Sequence, residues 1–197
     1  MESQLLDKLN EVDIGILINN VGMSLDDPAI LHKVQGGIEA LANVAVANML
    51  PPTLLSAGIL PQMVSRNAGI IVNIGSAAGK IPWAKWSVFS ASKKYVSWLT
   101  ETLRKEYGNR DIIFQTITPF EVTTEMADAS FFCPTCDDFA KSAVSTIGNA
   151  KDTTGYITHQ LGYEVMNLFP EFMLDRCSTR SKARQPASAK KEYKLLL

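Results

Sequence analysis

Three short apolar runs, IGILIN beginning at Ile14, GIIVNIG at Gly69 and DIIFQTITP at Asp111, are separated by two much longer segments of helical character. Runs of this length, rich in β-branched residues and bounded by Gly, Asn and Asp, have the pattern of strands buried on both faces. Parallel neighbours need long crossovers, so strands alternating with helices predict an α/β chain whose parallel sheet is covered by helices on both faces. The helices are expected over 26–66 and 86–107, with Gly108 stopping the second.

Beyond Pro119 the pattern weakens. Residues 120–135 read as a loop, 136–146 as a short helix, 156–160 as a last strand and 164–174 as an apolar helical segment. One domain is expected over 1–174, followed by a basic tail over 175–197 that is expected to be disordered and solvated.

Composition narrows the partners. The chain is 46% hydrophobic and 20% charged with a formal net charge of -1, enough apolar material for one core and no surplus that selects nucleic acid. The cations of the tail lack interleaved aromatics apart from Tyr193. Three cysteines, Cys133, Cys136 and Cys177, are too few for a disulfide framework and fit a reducing compartment. Cys133 and Cys136 have the CxxC spacing of a metal or redox pair, but no second pair accompanies them and His32 and His159 are distant in sequence. They are expected to pack a loop and His159 to be structural, with no metal site. The uncharged run 41–60 is about as long as a bilayer is thick, yet Asn43, Asn48, Pro51, Pro52, Ser56 and Gly58 interrupt it. A buried or interface helix is expected there, not a transmembrane segment.

In a parallel sheet the carboxyl ends of the strands meet on one edge, where such folds bind ligands. That edge would gather NNVG (Asn19, Asn20, Val21, Gly22), NIGS ending at Ser76, and Pro119, with Lys93 from the second helix beside them. Each has an ordinary explanation on its own: Ser76 as a turn cap, Asn48 as a cap or loop residue, Lys93 as a solvated helix face. Only their joint spacing points to a site.

Together these elements resemble the short-chain dehydrogenase/reductase family, in particular its branch of hydroxysteroid dehydrogenases and long-chain oxoacyl-CoA reductases. The resemblance runs from about residue 6 to about residue 174 and includes LPPTLLSAGILPQM, ITPFEVTTEM and TTGYITHQL, which are most similar to the nematode steroid-dehydrogenase group. It implies hydride transfer between NADP(H) and a hydroxyl or keto carbon of a steroid or fatty-acyl lipid. The implied catalytic positions are Asn48, Ser76, 89 and Lys93; the implied cofactor contacts are Asn19, Gly22, Lys93, Pro119 and Thr124. A homo- or heterodimer is expected as well; for a non-catalytic relative pairing with a full-length one, it would form through the helices bearing Asn48 and Lys93. The family implies the endoplasmic reticulum, whereas this chain taken as complete implies the cytoplasm.

Two departures qualify that expectation. Where the family's YxxxK has a tyrosine, this chain has Phe89, and a phenol four residues before a lysine is what would move the proton. Tyr95 is six residues further on, about 240° around the helix, and faces another surface. The glycine-rich TGxxxGxG turn that holds the cofactor pyrophosphate in the family is expected upstream and does not occur in these 197 residues. Its strand neighbours would be absent too, leaving the first strand as an exposed apolar edge. The chain is therefore expected to be either an impaired oxidoreductase that holds cofactor poorly, or a non-catalytic relative that binds or pairs with a full-length one.

Overall fold

The computed structural model describes residues 8–9, 11–25, 27–123 and 130–168. Four parallel strands lie side by side in chain order: β1 (Ile16–Asn19), β2 (Gly69–Ile74), β3 (Ile112–Ile117) and β4 (Asp152–Thr153). The crossovers are helices α1 (Gly37–Arg66), α2 (Ser87–Glu106) and α3 (Cys136–Ser145), and α4 (Ile157–Asn167) follows β4. The three apolar runs are thus the strands the sequence predicts.

Side chains alternate across the sheet, so each face builds its own core. Ile71 and Phe114 pack against Ile59, Leu60 and Met63 of α1 and Leu103 of α2. On the opposite face Val72 and Ile117 meet Ala143 and Phe139 of α3. Helices cover both faces, as a fully apolar strand pattern requires. β1 is an edge, and its Ile16 and Ile18 are 51% and 48% exposed.

The start of α1 differs from expectation. Residues 27–36 are not α-helical except for a single 3-10 turn, Leu31–Lys33, because Pro28 opens the segment and Gly36 and Gly37 adopt φ of 83° and 60°. An L side chain is strained at such angles, so two glycines make the turn from which the helix starts. Its stop is Asn67, left-handed at φ 52°, whose N–H returns to the carbonyls of Met63 and Val64. α1 is long and apolar enough to cross a membrane, but it carries Pro51, Pro52 and Pro61 and buries Val44, Ala47, Asn48, Ile59 and Met63.

The last strand is also displaced. Residues 156–160 are not a strand: β4 is the two-residue Asp152–Thr153, and Gly155 at φ 77° turns the chain into α4. The β-branched residues of TTGYIT suggest extension, but Thr158 and His159 are instead the buried face of a helix. α4 accordingly begins seven residues before the expected helical segment 164–174. Gly108 keeps an ordinary φ, and α2 ends at Glu106 with Tyr107 as its cap. Thr124, Cys177 and the tail expected over 175–197 lie outside the described residues.

Candidate active site

Because β1, β2 and β3 run parallel, Asn19, Ile74 and Ile117 end on one edge. The segments leaving them are tied together there: the Gly75 N–H donates to Ile117 O at 2.7 Å and the Ala77 N–H to Pro119 O at 2.9 Å. Into this edge α2 sends Lys93. Its Nζ donates to Val21 O at 3.3 Å and to Ile74 O at 3.1 Å, and the residue is 4% exposed. Burial disfavours the charged amine and lowers its pKa from 10.5 to about 8. Gly22 lies close by, since a Cβ at that position would stand 3.2 Å from Lys93 Nζ.

Phe89 precedes Lys93 by one helical turn on α2, with its ring edge-on to Trp86 at 6.0 Å. Among the described residues, the nearby hydroxyls of α2 are engaged elsewhere. Ser90 Oγ donates to Ala78 O at 2.6 Å and Ser92 Oγ to Phe89 O at 2.8 Å. Tyr95 Oη is 2.8 Å from Thr53 Oγ1, a contact with α1 on an exposed flank. Ser76 caps the 3-10 turn Ala77–Gly79, its Oγ accepting from Ala78 N at 3.2 Å, which leaves its own proton to donate.

Asn48 is buried on α1 and all three of its side-chain bonds are internal. Oδ1 accepts the Met23 N–H at 2.7 Å; Nδ2 donates to Met23 O and to Ser92 Oγ, both at 2.9 Å. It therefore clamps the segment after β1 to α2. Its backbone carbonyl differs from its neighbours, because the residues that would donate to it at i+3 and i+4 are Pro51 and Pro52, which have no N–H.

The ladder beneath the site is a feature the motifs did not announce. Asn19 and Asn73 are register partners; Asn19 Nδ2 donates to Asn73 Oδ1 at 2.7 Å, and Asn73 Nδ2 to Thr100 Oγ1 at 2.8 Å. All three are nearly inaccessible, so Asn19 joins β1 to β2 and Asn73 ties the sheet to α2 from within. The available signal was an asparagine in each of two otherwise apolar strands. Ser92 gave less, standing as one serine among several. Pro119 is half-buried beside Ser76, and Thr124 is not described. Cys136 Sγ donates to Thr123 O at 3.0 Å, so the CxxC segment is bonded to the stretch after β3. Burial pushes the Cys133 thiol up, with Glu121 adding to the shift.

His159 closes the far side of that stretch. It is 1% exposed among the rings of Phe120, Phe139 and Tyr156, and its Nδ1 accepts the Phe120 N–H at 3.4 Å.

The family model for short chain dehydrogenases matches residues 2–131. The chain is 60% identical over 198 residues to the Caenorhabditis elegans protein named "Putative steroid dehydrogenase 2", an alignment covering 98% of this chain and 63% of that one. It is 34% identical over 171 residues to the mouse very-long-chain 3-oxoacyl-CoA reductase, covering 84% of this chain and 54% of the relative. The chain thus spans under two thirds of the length of these curated relatives. Among solved structures, a bulky-bulky ketone specific alcohol dehydrogenase from Comamonas testosteroni superposes with TM-score 0.69 at 22% identity, covering 95% of this chain and 71% of the other. A serine dehydrogenase complexed with NADP+ superposes with TM-score 0.59 at 24% identity, covering 87% and 68%. These two likenesses concern the fold. The family match and the sequence identities go further: this chain belongs to the short-chain dehydrogenase family.

Proposed function

We propose that these residues form the substrate and nicotinamide side of an NADP(H)-dependent oxidoreductase acting on a hydroxyl or keto group of a steroid or fatty-acyl lipid, impaired in its proton transfer. The observation that carries this reading is Phe89 one turn before a buried Lys93 whose amine sits at the ends of β1 and β2. The names of the nematode and mouse relatives support the lipid class.

The local chemistry fits a nicotinamide riboside. Gly22 presents no side chain next to Lys93 Nζ, leaving a donor beside an open backbone. The pyrophosphate end has no such match, since no TGxxxGxG turn occurs among the 197 residues. A bound nicotinamide would supply or accept the hydride. The chain's own part is to place the substrate oxygen and the proton. Ser76 Oγ, whose hydroxyl has no acceptor among the described residues, would hold the substrate oxygen. The Asn48 carbonyl, without a helical donor, would accept from a water leading toward Lys93. Phe89 can neither give nor take the proton, and loss of such an acid or base slows a reaction by about 10² to 10⁴.

Introducing the hydroxyl by Phe89→Tyr, with NADPH and 3-oxoacyl or keto-steroid substrates, should raise turnover over the parent chain by that factor. NADPH titration of both proteins reports binding separately. Saturable binding with no gain on Phe89→Tyr would overturn the reading of position 89; no binding by a folded chain would favour the alternative. That alternative is a non-catalytic relative that pairs with a full-length one, and it draws on the exposed Trp98 of α2 and the exposed apolar residues of β1.

A further inference from the structure

α4 turns an apolar stripe outward. Ile157, Leu161, Val165 and Leu168 are 77%, 50%, 44% and 82% exposed. At 100° per residue they fall within an arc of about 80°. His159 is buried on the opposite face and Thr158 at one border of the stripe, so the helix is anchored by one side and bare on the other. Phe131 and Phe132 extend the patch, 68% and 56% exposed, and a Cβ on Gly162 would stand 3.9 Å from the Phe132 ring. A contiguous apolar face of this kind marks an interaction surface.

The sequence that follows carries a matching charge pattern. Past Leu168 come Phe169, Phe172, Met173 and Leu174, and then residues 176–194 carry seven Lys and Arg against Glu192 alone. The rest of the chain holds 12 Lys and Arg against 19 Asp and Glu, so the cationic surplus is confined to the stretch after the stripe. An apolar helical face continued by a polybasic segment is complementary to a bilayer whose surface is apolar just beneath anionic headgroups. A second copy seated on the same patch would bring two cationic segments together.

We infer that the outward face of α4, with Phe131 and Phe132, lies on an anionic bilayer surface and that the basic residues after it hold it there. Glu164, bonded to Gln160 Nε2 at 2.7 Å, marks one border of the stripe. The stretch that carries Phe131 and Phe132 begins at β3 beside Ser76, where the Ala77 N–H bonds Pro119 O. Docking itself does not depend on turnover.

The test is co-sedimentation of the full chain with vesicles of phosphatidylcholine, with and without phosphatidylserine. Binding should be at least about tenfold tighter to the anionic vesicles at low salt. It should fall when salt rises from about 0.1 to about 1 M, which shortens the screening length from about 10 to about 3 Å. Leu161→Glu should weaken binding to anionic vesicles, and Lys190→Glu with Lys191→Glu should reduce the difference between the two lipids. Circular dichroism checks that these exposed changes leave the fold intact. Absence of vesicle binding, or equal binding to both lipids at both salt concentrations, would overturn the inference. So would a concentration-dependent dimer dispersed by Leu161→Glu without any vesicle binding, which would assign the face to a second copy.

Discussion

The amine of Lys93 donates to the carbonyl of Ile74 across 3.1 Å, so the last residue of β2 holds the tip of a side chain rooted on α2. With Val21 O as its second acceptor, the same amine joins two strand ends. Polar groups in so dry a place must be matched, and here they are matched mostly by backbone.

Lys93 should make stability depend on alkaline pH. Its folded pKa is about 8 against 10.5 unperturbed, so between those values the unfolded chain binds the proton and the folded chain does not. Stability from this group is therefore fully present above 10.5 and lost as pH falls through about 8, with an upper magnitude of about 3 kcal/mol. Urea unfolding between about pH 7 and about pH 10 should show that rise in the parent chain and lack it in Lys93→Met.

Asn48→Ala removes three buried bonds and leaves the Met23 N–H without its acceptor. A loss of about 2–4 kcal/mol is expected by chemical denaturation. Asn48→Asp keeps an acceptor for Met23 N–H but points an oxygen at Met23 O, and should recover only part of it. Equal stability in all three proteins would show that the clamp contributes nothing.

Gly79→Ala tests how closely the 3-10 turn approaches α2. The added Cβ would stand 2.7 Å from the Lys93 carbonyl carbon and 2.8 Å from Lys94 N, both backbone atoms that cannot swing aside. The expected outcome is a loss of about 1–3 kcal/mol and a displaced Lys93. Thermal melting gives the first, and the alkaline slope described above reports the second.

His159 works in the opposite pH range. Burial lowers its pKa below 6.5, partly offset by backbone carbonyls of Glu121, Phe132 and Thr154. Its contribution is present above 6.5 and lost as pH falls through the folded value. Because Nδ1 accepts from Phe120, protonation breaks that bond as well. His159→Gln should flatten the acid limb of the melting temperature against pH, while an unchanged limb would place the acid sensitivity elsewhere.

How much of this was legible beforehand differs by element. The strands around Ile71 and Phe114 were readable because strands covered on both faces are mostly apolar; β1 around Ile16 shares that pattern although Ile16 and Ile18 lie half exposed at the sheet edge. The start of α1 was not, since Gly36 and Gly37 act through a left-handed backbone that apolar periodicity does not register. β4 was misplaced because two residues carry no pattern, and only pairing with Thr116 and Ile117 makes them a strand. The candidate site divides similarly: the motifs named Asn48, Ser76, Phe89 and Lys93, but not that Ser92 would receive Asn48 Nδ2.

The sequence alone determined the alternation of strand and helix, the family pattern and the absence of a phenol at position 89, because each is a property of identity or short-range spacing. Only the tertiary structure decided that Asn19 would bond Asn73 inside the sheet and that Lys93 would reach Val21, 72 residues away. Such contacts depend on strand register and on how a helix seats against the sheet. Both follow from the packing of the whole core, and no local window of sequence contains it.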